Sequence, residues 1–111
     1  MTDGTDLDEV WVDWQEAVNM TAKQLEDWLE TQESKSVGQR VDGGESTGHE
    51  SGRRIVKILR TSKGELADDD VQHMRKVVGY VHRHLKQEPE GDVSETPWRY
   101  SLMNWGHDPL K

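Results

Sequence analysis

The stretch "VDGGESTGHESGRRIV", residues 41–56, decides how the chain is read. Gly43, Gly44, Gly48 and Gly52 crowd into it, His49-Glu50-Ser51 sits between two of them, and Arg53-Arg54 follows. As a phosphate-gripping loop it would follow a strand and imply an α/β fold. A Walker A loop requires G-x-x-x-x-G-K-[ST], but here His49 rather than Lys follows Gly48 and no strand pattern precedes it. The dinucleotide fingerprint fails for want of the same strand. What fits is Thr47-x-x-Glu50, a capping box that opens a helix running to about Lys63. Gly48, Gly52, Ile55, Val56 and Leu59 then share one side of that helix. Two glycines one turn apart let a helix or an aromatic ring approach the backbone, at about 1 kcal/mol each in helix propensity. Gly43 and Gly44 belong to a loop, and the stretch points to an all-helical chain.

The flanking sequence has the same period. Leu7, Val10, Trp11, Trp14, Ala17 and Val18 form one apolar stripe of a helix over residues 7–19, with Asp6 as N-cap and Glu9 three residues on. Thr21 and Gln24 form a capping box, and Met20 and Leu25 stand at the staple positions around it. The second helix they open buries Leu25, Trp28 and Leu29 and fades near Glu33; residues 34–46 read as a loop. A fourth helix begins with Asp68, Asp69 and Asp70, whose charges suit the helix N-terminus. Val71, Met74, Val78, Val81 and Leu85 then step by three and four residues, with Val77 alongside. Thr96-Pro97 opens a short fifth helix with Trp98, Leu102 and Trp105 inside and Gly106 just past its end. The expected architecture is all-α: one compact domain of about five helices over residues 7–111, a flexible 1–6, and a Gly/Ser-rich loop between helices two and three.

Composition narrows the function. The 111 residues suffice for one domain with one modest core. Hydrophobic and charged residues each make up 32%, which is polar for a globular chain. Five Trp and two Tyr, with no Phe, must supply much of the buried area. The absence of Cys excludes disulfides and thiolate metal sites. The acidic start "MTDGTDLDEV" does not have the form of a signal peptide. No apolar run approaches the roughly 18 residues of a membrane span. A cytosolic protein with no membrane partner is expected. The net charge of −8 is unevenly spread: residues 1–33 carry −9, 34–64 carry +4, 65–71 carry −4, 72–87 carry +4 and 88–111 carry −3. Two basic blocks on an acidic chain make it electrically polarised.

Those blocks hold the candidate binding residues. The third helix places Arg53, Lys57 and Arg60 on one face, flanked by Arg54 and Lys63. The fourth places Arg75, His82 and Lys86 on its outer side, with Lys76 and Arg83 nearby and Gly79 as a gap. Two such faces side by side can hold phosphates. Equally, the cations can balance the acidic helices across the surface in solvated ion pairs worth little. His73 and His84 share a flank of the fourth helix with Tyr80 between. They are 11 residues apart, roughly 16 Å along a helix, too far for one metal ion. They read instead as half-buried partners of the tail tryptophans. A metal site would need separate segments, for instance His49 with His107 and Asp108, and no metal or other cofactor is expected. Adjacent His49, Glu50 and Ser51 diverge on a helix, so Ser51 reads as a small packing residue, not a nucleophile, and no enzyme is expected. Trp98 and Trp105 should dock on helices three and four; an exposed "GHDPLK" recognition tail is the alternative.

The strings "VNMT", "SVGQ", "GHESGRRIVKIL", "HMRKVVGYVHRHL" and "WRYSLMNWGHDPLK" resemble the small proteins grouped as domain of unknown function 3140. The resemblance runs from about Val18 to the C-terminus. It implies a small helical protein and, because members are sometimes labelled DNA-binding, a nucleic-acid partner; it implies no catalytic residues. The leading expectation is therefore phosphate contact with nucleic acid, DNA first, without strong sequence readout. The competing one is a protein-interaction adaptor or homo-oligomer. Basic faces gathered on the outside favour the first; basic faces paired with the acidic N-terminal helices favour the second.

Overall fold

Thr21 shows how locally the helices are specified. Its hydroxyl accepts from the Gln24 N–H at 3.1 Å while the Gln24 side chain accepts from the Thr21 N–H at 3.0 Å, so both halves of the box form. In a computed structural model that describes residues 4–37 and 47–111, all regular structure among the described residues is helical. The helices are α1 (Gly4–Ala17), α2 (Ala22–Leu29), α3 (Gln32–Ser36), α4 (Thr47–Leu59), α5 (Asp68–Leu85) and α6 (Pro97–Asn104), with a 3₁₀ turn at Lys63–Glu65. The helix expected from Thr47 is α4, and the one expected from Asp68 is α5. None of the described helices is long and apolar enough to cross a membrane.

Several boundaries differ from expectation. α1 starts at Gly4, which places Asp6 inside the helix rather than at its cap, and it ends at Ala17. The expected second helix divides. The Thr31 hydroxyl donates to the Trp28 carbonyl at 2.7 Å, closing α2, and accepts from the Ser34 N–H at 3.1 Å, opening α3. One side chain thus ends one helix and caps the next, and residues 34–36, expected in a loop, are helical. Residues 38–46, with the rest of that expected loop, lie outside the described residues, as does the Thr47 side chain of the expected second capping box. α4 ends at Leu59, short of Lys63, because the Thr61 hydroxyl takes the Lys57 carbonyl at 2.7 Å and the chain turns. At the start of α5, the Asp70 carboxylate accepts from the Ala67 N–H at 3.0 Å. Thr96 caps α6 through the Arg99 N–H at 3.2 Å, with Pro97 in the first turn.

The helices pair as α1 with α5 and α2 with α4, and α6 closes the assembly against α2, α3, α4 and α5. The shared core includes Leu25, Ile55, Met74, Val77, Val81 and Leu102, all fully buried, with Trp14, Trp98 and Trp105 around them. Burying each aliphatic side chain of this size contributes about 1.5–3 kcal/mol. The C-terminal segment is docked. Gly106, at φ +82°, turns the chain beneath Val18 and accepts from the Met20 N–H at 3.2 Å. Asn19 exchanges two hydrogen bonds with the Asp108 backbone at 2.8 and 3.0 Å, and Arg99 holds the Asp108 carboxylate with two more at 3.1 and 3.2 Å. The tail expectation of docking therefore holds.

Candidate functional site

α4 carries its glycines on the inner side. A Cβ on Gly48 would lie 3.1 Å from Trp105 Nε1, and one on Gly52 would lie 2.6 Å from the Asn104 carbonyl oxygen and 2.7 Å from a Leu29 methyl. The close approach of α6 and α2 is what these positions allow, as the spacing predicts. Asn104 then ties the layers together. Its Oδ1 accepts from Trp28 Nε1 at 2.7 Å and from the Ser34 hydroxyl at 2.5 Å, and its Nδ2 donates to the Ser34 carbonyl at 3.0 Å. Because the indole can only donate, the amide orientation is set.

On the flank of α5, five rings stack in sequence. His73 lies 6.3 Å from Trp105, Trp105 lies 4.1 Å from Tyr80, Tyr80 lies 5.3 Å from His84, and His84 lies 6.2 Å from Trp98, measured between centroids. His84 and Trp98 also bond each other's backbone carbonyls at 3.2 and 2.7 Å. The two histidines are the half-buried partners of the tail tryptophans that their shared flank predicts. Burial holds the pKa of each below the usual histidine range, and for His73, beside Arg54 and Lys76, down to about 4. Both rings are therefore neutral at pH 7. His49, His107 and Asp108 do not converge: His49 bonds the Leu29 carbonyl at 2.7 Å, His107 bonds the Ala17 carbonyl at 2.7 Å, and Asp108 meets Arg99.

The ten candidate binding residues differ in their surroundings. Arg60 grips Glu26 of α2 with two bonds at 2.8 and 3.3 Å, which lowers the Glu26 pKa and raises that of Arg60. Lys63 meets Asp8 of α1 at 3.1 Å and lies 4.9 Å above the Trp11 ring. Arg75 approaches Glu9 of α1 at 3.8 Å, and Arg54 approaches Asp70 at 3.6 Å. Arg53 and Lys57 lie exposed on the outer face of α4, Lys76, His82 and Arg83 lie exposed on α5, and Lys86 lies exposed just past its end. Lys76 and Arg83 of α5 and Lys86, which caps its end, stand at i, i+7 and i+10 and form a stripe along one side. Among the described residues, no ion pair engages this stripe.

α4 and α5 share one hollow. A hollow of about 250 Å³ is lined by Glu50, Ser51 and Arg54 of α4 and by His73 and Lys76 of α5. Inside it the Ser51 hydroxyl and His73 Nε2 are 2.9 Å apart. Ser51 is buried, as its packing role predicts, but its bond to His73 joins residues 22 apart that no sequence spacing links. A second, shallower groove of about 530 Å³ runs beside the docked tail and includes Met20, Trp28, Met103 and Lys111.

A family model described as "Protein of unknown function (DUF3140)" matches residues 13–103. The chain belongs to this family. The match takes in α2 through most of α6 and so covers the strings of the resemblance as far as Met103. No curated protein and no solved structure matches this DUF3140 member.

Proposed function

We propose that this DUF3140 protein binds nucleic acid in the cytosol by contacting phosphates with the cations of α4 and α5. The observation that carries the reading is the convergence of cations from two helices: Arg54 and Lys76 line one hollow, and the α5 stripe of Lys76, Arg83 and Lys86 continues from it. Lys57 extends the surface on α4. Arg60, Lys63 and Arg75 play a smaller part in this reading than the sequence expects, because each faces a carboxylate of α1 or α2. Contacts of this kind grip the backbone without reading bases.

The test is a duplex DNA titration at several salt concentrations. Log affinity should fall linearly with log salt, by roughly 0.9 per phosphate contact. Reversing Arg83 and Lys86 to Glu together should weaken unrelated sequences equally and flatten the slope by about two units. Reversing Arg60 should do less. A wild type that binds neither DNA nor RNA at low salt removes the reading. The adaptor is then the one that stands, favoured by the ion pairs from α1 and α2 and by the groove beside Trp28 and Met103.

A further inference from the structure

The hollow between α4 and α5 has a chemistry of its own. Its floor is the Ser51–His73 bond, 2.9 Å long, and its walls bring Arg54 and Lys76 from different helices. Arg54 makes one contact at 3.6 Å to Asp70 among the described residues, longer than a charge-assisted hydrogen bond, so that contact does not take up its guanidinium donors. Lys76, from the other helix, brings three donors. Glu50 also lines the hollow and Asp70 acts on the His73 ring, so two acids stand near the two cations. Arg54 and Lys76 both act on the His73 ring as positive charges. At about 250 Å³ the hollow is smaller than the roughly 300–1,000 Å³ sites that bury drug-sized ligands.

We infer that this hollow seats a phosphomonoester group, a tetrahedral dianion gripped by Arg54 and Lys76 from two helices and by the Ser51–His73 pair below. A phosphodiester in mid-strand carries one charge and a substituent on each side. A terminal phosphate has one substituent, and it can enter a hollow end-on. The group has two sources, the phosphorylated end of a strand or free phosphate. The strand-end source rests on the nucleic-acid reading; the hollow's affinity for the group does not.

The experiment follows the His73 imidazole by NMR while inorganic phosphate replaces chloride at constant ionic strength, near pH 8, where the group is dianionic. Saturable change at phosphate concentrations on the order of millimolar is expected, with the His73 pKa raised in the bound form, because a nearby anion favours the imidazolium. Arg54→Gln and Lys76→Met, both at exposed positions, should each weaken phosphate roughly tenfold, on the scale of one charge-assisted hydrogen bond, while Lys86→Met should not. Two oligonucleotides of one sequence, ending in a 5′-phosphate or a 5′-hydroxyl, then identify the source. A preference for the phosphorylated end that Arg54→Gln abolishes assigns the strand terminus. Equal binding of the two ends, with phosphate saturating, assigns free phosphate. Phosphate saturation with no oligonucleotide binding keeps the inference and removes the nucleic-acid reading. A folded wild type whose His73 does not respond to phosphate overturns the inference, whatever the oligonucleotides do.

Discussion

Two glycines in the middle of α4 and α5 meet different surroundings. On α4, a Cβ at Gly52 would press on the Asn104 carbonyl oxygen at 2.6 Å and on Leu29 at 2.7 Å. On α5, a Cβ at Gly79 would meet only the Arg83 guanidinium, at 3.1 Å. The first glycine is covered by another helix and the second by the end of one flexible side chain. The difference teaches that a helical glycine has no fixed meaning: its role depends on whether a rigid backbone or a mobile tip lies over it. It also separates the molecule into a closed seam, where α4, α2 and α6 meet, and an open ridge, where α5 and its C-terminal cap carry Lys76, Arg83 and Lys86.

The sharpest way to break the closed seam is Asn104→Ala. It removes the acceptor of Trp28 Nε1 and the Ser34 hydroxyl, and the donor to the Ser34 carbonyl, in a buried setting. Each stranded buried group costs about 1–3 kcal/mol, so a loss of roughly 2–5 kcal/mol in chemical denaturation is expected. A loss below about 1 kcal/mol would mean the knot does not anchor α6.

Gly52→Leu attacks the same seam from α4. Overpacking should cost about 1–3 kcal/mol, because the Asn104 backbone cannot move aside without displacing α6. Calorimetry should show a lower melting temperature; an unchanged one would put Gly52 in the same class as Gly79.

Acidification probes the place where seam and ridge meet. The folded pKa of His73, about 4, lies below the ordinary unfolded value near 6.5, so between these the unfolded chain binds more protons. Stability should therefore be greatest above about pH 6.5 and fall as pH drops toward 4. The groups facing the ring are Arg54, Lys76 and Asp70, with Ser51 bonded to it and Trp105 stacked on it. Because the ring is only half-buried and screened, the His73 share is roughly 1 kcal/mol. His73→Gln should flatten the pH dependence in part, the remainder including His84, whose pKa burial also lowers. An identical pH profile in the variant would show that His73 is not held neutral by the fold.

The smallest effect has the opposite sign. Gly79→Ala should stabilise by about 0.5–1 kcal/mol, since helix propensity favours Ala and the Arg83 tip can shift by a few tenths of an ångström. Destabilisation here would mean that the ridge is as closed as the seam, and the contrast between the glycines would fail.

Much of this was legible because the signals are local. The Thr21–Gln24 box, the Asp68–Asp70 cluster and the Thr96-Pro97 start each act within one turn, and each marks a helix start that the structure contains. α3 was not legible: "QESKS" has no apolar period, and its helix depends on Thr31 as a double cap and on Ser34 meeting Asn104, 70 residues away. The candidate site was legible only in its parts. The cations of α4 and α5 are plain in the sequence, but which of them answer a carboxylate depends on how α1 and α2 lie against them.

By itself, then, the sequence determined an all-helical chain, the inward sides of its main helices, the close-packed glycines of α4, and the ring partners of His73 and His84. Periodicity, capping and helix breakers act over a few residues and need no knowledge of the rest of the chain. Tertiary structure alone decided that Asn104 knots α2, α3 and α6, that Arg60, Lys63 and Arg75 face acids of α1 and α2, and that Ser51 and His73 share a hollow with Arg54 and Lys76. These contacts join residues tens of positions apart, and helix packing sets them through shape and buried area, which no local spacing encodes.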